Sequence, residues 1–324
     1  MISTSKPFRR CPVKKREGSA LTGLKVVFFK ELQDYAGNIR MIVLMVLILL
    51  TAGASMYVAA QTLRSYVGED SFMLLNLFTI SQNPIPSFLT FISFLVPLTG
   101  IALGFDAING EFQNRTLGRV LSQPIYRDVL LFGKALGALA AMAIVLLALW
   151  LLVIGSAMLF LGVPPSGEQI ARSLIYYLIT LLYGVLWYMI AMTCSIIFKQ
   201  PAVSALVSIA LWLFFMIFWP MISQIIAIGI GGVDTYEAAK LSVILNRISP
   251  YTLYVESAIA MLNPTTRSLG VVLFSQVQGA LMGNPLPFGQ SLLLIWPQMT
   301  AFFASIILVF VLGYIVFQRK EIRM

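Results

Sequence analysis

The side chains that most often perform chemistry are scarce in this chain of 324 residues, and their spacing argues against most active sites. Histidine is absent, which removes the commonest general base, the Ser-His and Cys-His nucleophile systems and all imidazole metal sites. Met189, Met192 and Cys194 offer soft copper ligands, but residues 189 and 194 point to different faces of a helix. Cys11 lies in a basic tail, so no disulfide framework is available. We therefore expect no catalytic residue and no metal site.

A loop that would bind nucleotide phosphates is also missing from the sequence. The pattern Gly-x-x-x-x-Gly-Lys-Ser/Thr, whose backbone amides surround phosphate groups, does not occur. The polar segments are too short to fold as a nucleotide-binding domain. We expect that the chain is not an enzyme and carries no cofactor, so any ATP and Mg²⁺ that power it are bound by another polypeptide.

The composition is that of a membrane protein. Hydrophobic residues make up 59% of the chain and charged residues only 11%, whereas soluble domains are about one quarter charged. Six stretches are long enough to cross a bilayer as helices, which takes ~20 apolar residues, and none contains Asp, Glu, Lys or Arg. We predict an all-α, polytopic protein with spans at about 41–60, 88–105, 135–161, 173–198, 202–230 and 291–317.

Basic residues are distributed unevenly around these spans. With the N-terminus inside, 17 of the 22 Lys and Arg residues fall in inner segments and five in outer segments. Inner loops of membrane proteins are enriched in Lys and Arg. We therefore expect a multi-pass protein with both termini in the cytoplasm, an inner connection at 106–134, an outer segment at 231–290 and an inner tail at 318–324. The net charge of +9 then reflects topology, and we expect no nucleic acid partner.

The first 40 residues are predicted to form a basic tail followed by an amphipathic helix. Residues 1–21 contain six Lys and Arg residues but no apolar stretch, unlike a cleavable signal peptide. Within 22–40, Leu24, Phe28 and Leu32 recur at helical spacing, which predicts an interfacial helix on the inner leaflet. The alternative is a plain cytoplasmic extension of the first span.

The outer segment 231–290 is long for a loop without structure of its own. It contains two apolar pieces, 251–262 and 268–282, and each is too short to span a bilayer. They could re-enter the membrane as a pair or lie on its outer face. We expect a small helical cap over the outer mouth.

The inner connection 106–134 contains a short amphipathic helix that ends at Pro124. Leu117, Val120 and Leu121 fall at positions i, i+3 and i+4 and form one apolar stripe. Such a helix can dock in a groove of a soluble partner, or it can be an inert interfacial loop. The stripe is flanked by one acidic and two basic side chains, Glu111, Arg115 and Arg119.

Short motifs in and around this connection resemble those of ABC-2 type ABC transporter permeases. The matching positions are Gly110-Glu111, Thr116-Leu117, Leu121-Ser122-Gln123-Pro124, Arg127, Gly133-Lys134 and, before the first span, Lys30-Glu31-Leu32. The resemblance runs from about residue 22 to residue 320 and includes the six-span layout. Asn263-Pro264 in the outer segment further resembles the branch with the nitrous-oxide-reductase maturation permease.

This resemblance implies a division of labour between subunits. It makes 22–40 the elbow helix, with Lys30, Glu31 and Leu32, and 115–122 the coupling helix that fits a cleft in a separate ATPase. The implied coupling residues are Glu111, Arg115, Thr116, Leu117, Arg119, Val120 and Leu121. The implied partners are two ATP-binding cassette subunits, a second identical or homologous permease and the lipid bilayer, in a plasma-membrane exporter.

Other functions remain as alternatives at this point. An ion-coupled secondary carrier usually needs charged groups at membrane depth, and the predicted spans contain none. A membrane-embedded hydrolase would need a nucleophile with a nearby base. A non-transporting assembly factor would need neither this pair nor charged groups at membrane depth. Gly100-x-x-x-Gly104 and Gly133-x-x-x-Gly137 allow close helix approach, and the sequence does not say which helices meet there.

Overall fold

The fold is known from a computed structural model that describes residues 20–65, 72–81, 85–114, 127–162, 164–233, 235–270 and 285–319. Every regular element within these ranges is a helix. Six helical segments are long and apolar enough to cross a membrane. The predicted all-α class with six spans is therefore confirmed.

The helices in chain order are α1 (Ala20–Ala36), α2 (Ile39–Ser65), α3 (Met73–Thr79), α4 (Phe88–Gly104), α5 (Asn109–Gln113), α6 (Arg127–Leu161), α7 (Gly167–Ile197), α8 (Pro201–Leu213), α9 (Trp219–Gly231), α10 (Tyr236–Asn246), α11 (Pro250–Leu262) and α12 (Phe288–Arg319). A π-helical segment, Phe214–Phe218, joins α8 to α9, and the three together form the fifth span. The other spans are α2, α4, α6, α7 and α12. Helices α6 and α7 begin several residues before the predicted spans because their first turns are polar and add little hydropathy.

Helix α7 forms the centre of the bundle, with α4 and α12 packed along it. Its Tyr183, Trp187 and Tyr188 are completely buried. Gly100 of α4 lies so close that a Cβ there would be 2.5 Å from the carbonyl oxygen of Gly184. The first Gly-x-x-x-Gly pair is therefore a contact within the chain, where small residues let two helix backbones approach closely.

The segment after the fifth span folds back along it. Helix α10 lies against α9, and the indole Nε1 of Trp219 donates to the carbonyl of Leu245 at 2.9 Å. Ser249, in the turn before α11, donates to the carbonyl of Phe215 in the middle of the fifth span. Helix α11 then returns inside the bundle, where Tyr254 is completely buried. Helix α10 thus folds back beside the fifth span, and helix α11 lies within the bundle. The expectation of a helical cap over the outer mouth stays a prediction.

Helix α11 is the first of the two apolar pieces predicted in the outer segment. Most of the second piece, 271–282, lies outside the described residues. Two helices had no counterpart in the prediction, α3 between the first two spans and α10. Both are short. The apolar residues of α3 are buried by neighbouring helices, whereas in α10 only Ala238 is buried.

Charged side chains lie inside the bundle, and each has partners. The guanidinium of Arg172 is completely buried and bonds to Glu168, Ser291 and the carbonyl of Leu286. The carboxylate of Glu256 on α11 accepts from Arg247 at 3.0 Å and from Gln298 at 2.9 Å. The interior is therefore less free of charge than the predicted spans, although pairing offsets the cost of burying these groups.

Candidate functional site

Helix α1 is held against α6 by the second Gly-x-x-x-Gly pair. A Cβ on Gly133 would lie 2.5 Å from Cγ1 of Val27, and one on Gly137 would lie 2.8 Å from Cβ of Glu31. Two glycines one helical turn apart leave a groove on α6, and α1 fills it. The close approach brings Glu31 beside Lys134, which lies on the same part of α6.

Four charged side chains meet at this seam, and we call Lys30, Glu31, Glu111 and Lys134 the ion cluster. The ammonium of Lys134 lies 2.8 Å from carboxylate oxygens of both Glu31 and Glu111. Lys30 lies 2.9 Å from Glu31 and 3.2 Å from Glu111. Each lysine therefore bridges both carboxylates, and the cluster joins α1, α5 and α6.

The ion cluster is partly buried. The side chains of Lys134 and Glu31 are 3% and 5% exposed, whereas that of Lys30 is 49% exposed. Burial opposes ionisation of Glu31, but Lys134 and Lys30 outweigh it and hold the pKa of that carboxyl below its usual value. Burial would likewise lower the pKa of Lys30, yet Glu31 and Glu111 raise it above the usual lysine range. Both groups are thus charged at neutral pH, and their charges compensate.

The geometry makes the buried contacts of the cluster costly to break one at a time. Removing one partner of a buried pair typically costs about 3–5 kcal/mol, because the other charge is left in a poorly solvated site. An exposed pair is worth only about 0–1 kcal/mol. Lys134 is therefore the member whose loss should matter most, and Lys30 the one whose loss should matter least.

The chain before residue 115 is tied to α7. The hydroxyl oxygen of Ser195 accepts the backbone N–H groups of Ile108 and Asn109, both at 3.0 Å. The side-chain amide of Asn109 donates to the carbonyl of Phe198. These bonds satisfy amides at the start of α5 that have no partner within that short helix. They fix α5, and with it Glu111, against the end of the fourth span.

The chain after residue 126 is tied down as well. Asp128, in the first turn of α6, accepts hydrogen bonds from Tyr314 and Gln318 near the end of α12. Tyr188 of α7 donates to the backbone carbonyl of Lys134 at 3.2 Å. The residues on both sides of segment 115–126 are therefore held in place by hydrogen bonds to several spans.

Three of the predicted site residues, Lys30, Glu31 and Glu111, are brought together in the ion cluster. Leu32 lies partly buried on α1 and packs against a hydrophobic cluster that includes Val27. Six other predicted coupling residues lie outside the described residues: Arg115, Thr116, Leu117, Arg119, Val120 and Leu121. Within the described ranges no group of three acidic, Cys or His residues is placed to hold a metal ion.

Sequence reasoning missed the residues that position this site. Lys134 was noted in a motif but was not assigned a role, and Ser195 and Asp128 were not noted. A lone lysine between the glycines at 133 and 137 was the available signal for Lys134. Ser195 carried no signal, because a serine in an apolar helix is common and its partners are distant in sequence.

The protein is a multi-pass helical bundle, and the described ends of its connection 106–134 are bonded to several spans. This arrangement is typical of the membrane subunit of a transporter. A comparison with family models identifies the family. The chain matches the ABC-2 family transporter protein model over residues 26–322, and it belongs to that family. It is therefore a membrane subunit of an ABC transporter, a kind of subunit that is not itself catalytic, and membership of the family implies an ATPase partner. No curated protein matches the chain.

Proposed function

We propose that this permease subunit exports a substrate across the plasma membrane, driven by two copies of an ATPase and paired with a second permease. In this proposal, segment 115–122 is the coupling helix and docks on the ATPase through Leu117, Val120 and Leu121. ATP and Mg²⁺ are bound by the ATPase. The observation that carries the proposal is the ion cluster, because Lys134 links the chain just before that segment to α1 and to the third span.

The braced ends of segment 115–126 favour a mechanical role. A force applied to a flexible loop is lost in local bending, whereas a force on chain tied to rigid helices moves those helices. Glu111 is three residues from Asn114, the last described residue before the segment, and it contacts Lys134 directly. Motion imposed on the segment therefore reaches α1 and α6 together.

Charge supports a cytoplasmic location for this end of the protein. Exposed basic residues are concentrated here, on α1, before the first span, after α7 and at the end of α12: Lys25, Lys30, Arg40, Lys199 and Arg319. The described basic residues of the opposite end are fewer: Arg172 and Arg247 are paired with glutamates, and Lys240 and Arg267 are exposed. This asymmetry follows the positive-inside rule and supports a cytoplasmic location for both termini.

The exposed face of α1 supports its assignment as an interfacial elbow helix. Val26 and Phe29 are 65% and 59% exposed, and they lie opposite the buried Val27–Glu31 face. Apolar side chains on one face and lysines beside them are typical of a helix in the headgroup region. The helix then lies on the inner leaflet while Glu31 points into the bundle.

Docking can be tested with a charged double variant. Leu117→Asp with Leu121→Asp should abolish co-purification of the ATPase from membranes, because two carboxylates cannot enter an apolar groove. The control, Asn114→Asp with Gln123→Asp, adds the same charge at polar positions and should retain the ATPase. Equal retention by both double variants, with normal membrane insertion, would contradict the docking hypothesis.

Transport itself separates the proposed function from the two alternatives. Reconstituted permease and ATPase should move cargo only with ATP and Mg²⁺. Vigorous movement by this chain alone under an ion gradient would identify a secondary carrier. A complex that hydrolyses ATP but moves none of the compounds present in its native membrane would favour an assembly factor.

A further inference from the structure

The fifth span is interrupted at its midpoint by an unusual hydrogen-bond pattern. Between Phe214 and Phe218 the helix is a π-helix, and the N–H of Trp219 donates to the carbonyl of Phe214, five residues back. In this register the carbonyl of Phe215 would accept from residue 220. Residue 220 is proline, which has no N–H. The helix therefore leaves the Phe215 carbonyl without its backbone donor.

The missing donor is supplied by another part of the chain. The hydroxyl of Ser249 donates to the carbonyl of Phe215 at 2.8 Å, and Ser249 is completely buried. Ser249 lies in the turn between α10 and α11. A buried carbonyl without a partner is costly, so the pairing couples the break in the fifth span to this turn.

Helices α9 and α10 form a unit of their own beyond the break. A Cβ on Gly231 would be 2.6 Å from the backbone nitrogen of Ala238, so the two backbones are in close contact. Ser223 of α9 donates to the side chain of Asn246. Over the described residues, α10 makes its extensive contacts with α9, and α9 also contacts the π segment that precedes it.

The outward surfaces of this unit are exposed, in contrast to the helix that follows it. Ile225 and Ile230 of α9 are 69% and 75% exposed. Only Ser223, Ala227 and Ala238 are buried in the two helices. Helix α11, which follows, is buried along one side in the bundle. The unit is thus joined to the fixed bundle by two segments that are not α-helical, Phe214–Phe218 and Arg247–Ser249.

We infer that α9 and α10 pivot as one body about the π segment. The hydrogen bond between Ser249 and Phe215 stabilises the position seen in the structure, which we call the docked position. π-Bulges in helices are frequent at functional sites, and a helix kinks where Pro removes a bond from its ladder. A pivot here moves the outer half of the fifth span without unpacking α7, α11 or α12. Pro220 has no N–H, so the helix cannot close the break with a backbone hydrogen bond to Phe215.

Distances between spin labels in the full-length chain, reconstituted in lipid nanodiscs, test the pivot directly. One pair, Ile225→Cys with Lys199→Cys, crosses the π segment from α9 to the loop after α7. The reference pair, Leu174→Cys with Lys199→Cys, lies along α7 and does not cross it. All three labelled positions are exposed, and Cys11→Ser with Cys194→Ala removes the native thiols.

The pair across the break should show two distances, and the reference pair should show one. Ser249→Ala should shift the ratio of docked to undocked molecules by roughly fivefold toward the undocked distance, the size expected for one hydrogen bond. Ser249→Thr keeps the hydroxyl and should resemble the parent. Ser257→Ala is the matched control, because Ser257 is equally buried but bonds only within α11.

Pro220→Ala supplies the missing N–H and should collapse the pair across the break to a single narrow distance. In that background Ser249→Ala should have no further effect, since the Phe215 carbonyl then has a backbone partner. A single distance in the parent that neither Ser249→Ala nor Pro220→Ala changes would overturn the inference. An unchanged reference distance in each variant shows that the bundle is folded, so such a result is decisive.

Discussion

Removal of the buried lysine of the ion cluster is the sharpest test of how α1 is held. Lys134→Gln leaves Glu31 and Glu111 facing each other, with only the half-exposed Lys30 to compensate. We expect a loss of unfolding free energy of about 3 kcal/mol, at the lower end of the range for breaking a buried pair, because Lys30 remains. The measurement is thermal or denaturant unfolding of the purified chain in detergent. Lys30→Gln is the control and should cost no more than about 1 kcal/mol.

A double variant distinguishes an electrostatic effect from simple loss of packing. Glu31→Gln with Lys134→Gln removes one charge of each sign and leaves Glu111 with Lys30 as an ordinary pair. If the cost of Lys134→Gln comes from unpaired carboxylates, the double variant should be more stable than the single variant by about 1 kcal/mol or more. Additive costs of the two substitutions would refute the reasoning, since additivity is the behaviour of residues that do not interact.

Three further predictions concern other contacts of the fold. Gly100→Val should unfold at least several degrees below the parent in a thermal melt, because its Cβ would meet the carbonyl oxygen of Gly184 on α7. Gly155→Ala is the control: its Cβ has open space, so its unfolding temperature should stay close to that of the parent. The parent should be more stable than Glu31→Gln, and this difference should be complete above pH 4.5, the usual pKa of the carboxyl. The difference should disappear as the pH falls through the lowered pKa of Glu31. Thermal melts across a pH series measure this difference. Arg172→Met should destabilise the chain far more than Glu168→Gln in the same melts, because the guanidinium is completely buried while the carboxylate is 40% exposed.

The six spans could be predicted because their signal is local. A run of about 20 apolar residues crosses a bilayer as a helix whatever it packs against. The buried position of α11 could not be predicted in this way. Its 13 residues are apolar and too short to span, so only contacts with α7 and α12, far away in sequence, decide that it enters the bundle. Charged groups such as Glu256 entered the interior with it.

The site could be predicted only in part, for a similar reason. Glu31 and Glu111 were selected by motif resemblance, and nothing in their local sequence places the two carboxylates on one lysine. Amphipathic periodicity predicted an interfacial helix from the apolar residues of α1 and assigned no side that faces the bundle. Glu31 lies on the buried side because Lys134 and Lys30 neutralise it there. A buried ion pair thus places a charged residue on the side of a helix where amphipathic periodicity predicts apolar residues.

Glycine and charge act together at the seam between α1 and α6. Larger residues at positions 133 and 137 would hold α1 away from α6, and Lys134 could then be reached by water and by Glu111 alone. With glycine at both positions the helices meet, Glu31 loses its solvent, and Lys134 becomes the partner that both carboxylates must share. The Gly-Lys motif and the Lys-Glu-Leu motif are thus two halves of one contact. A substitution in either half should release α1 from the chain that leads to segment 115–126, and coupling should fail even where the ATPase still binds.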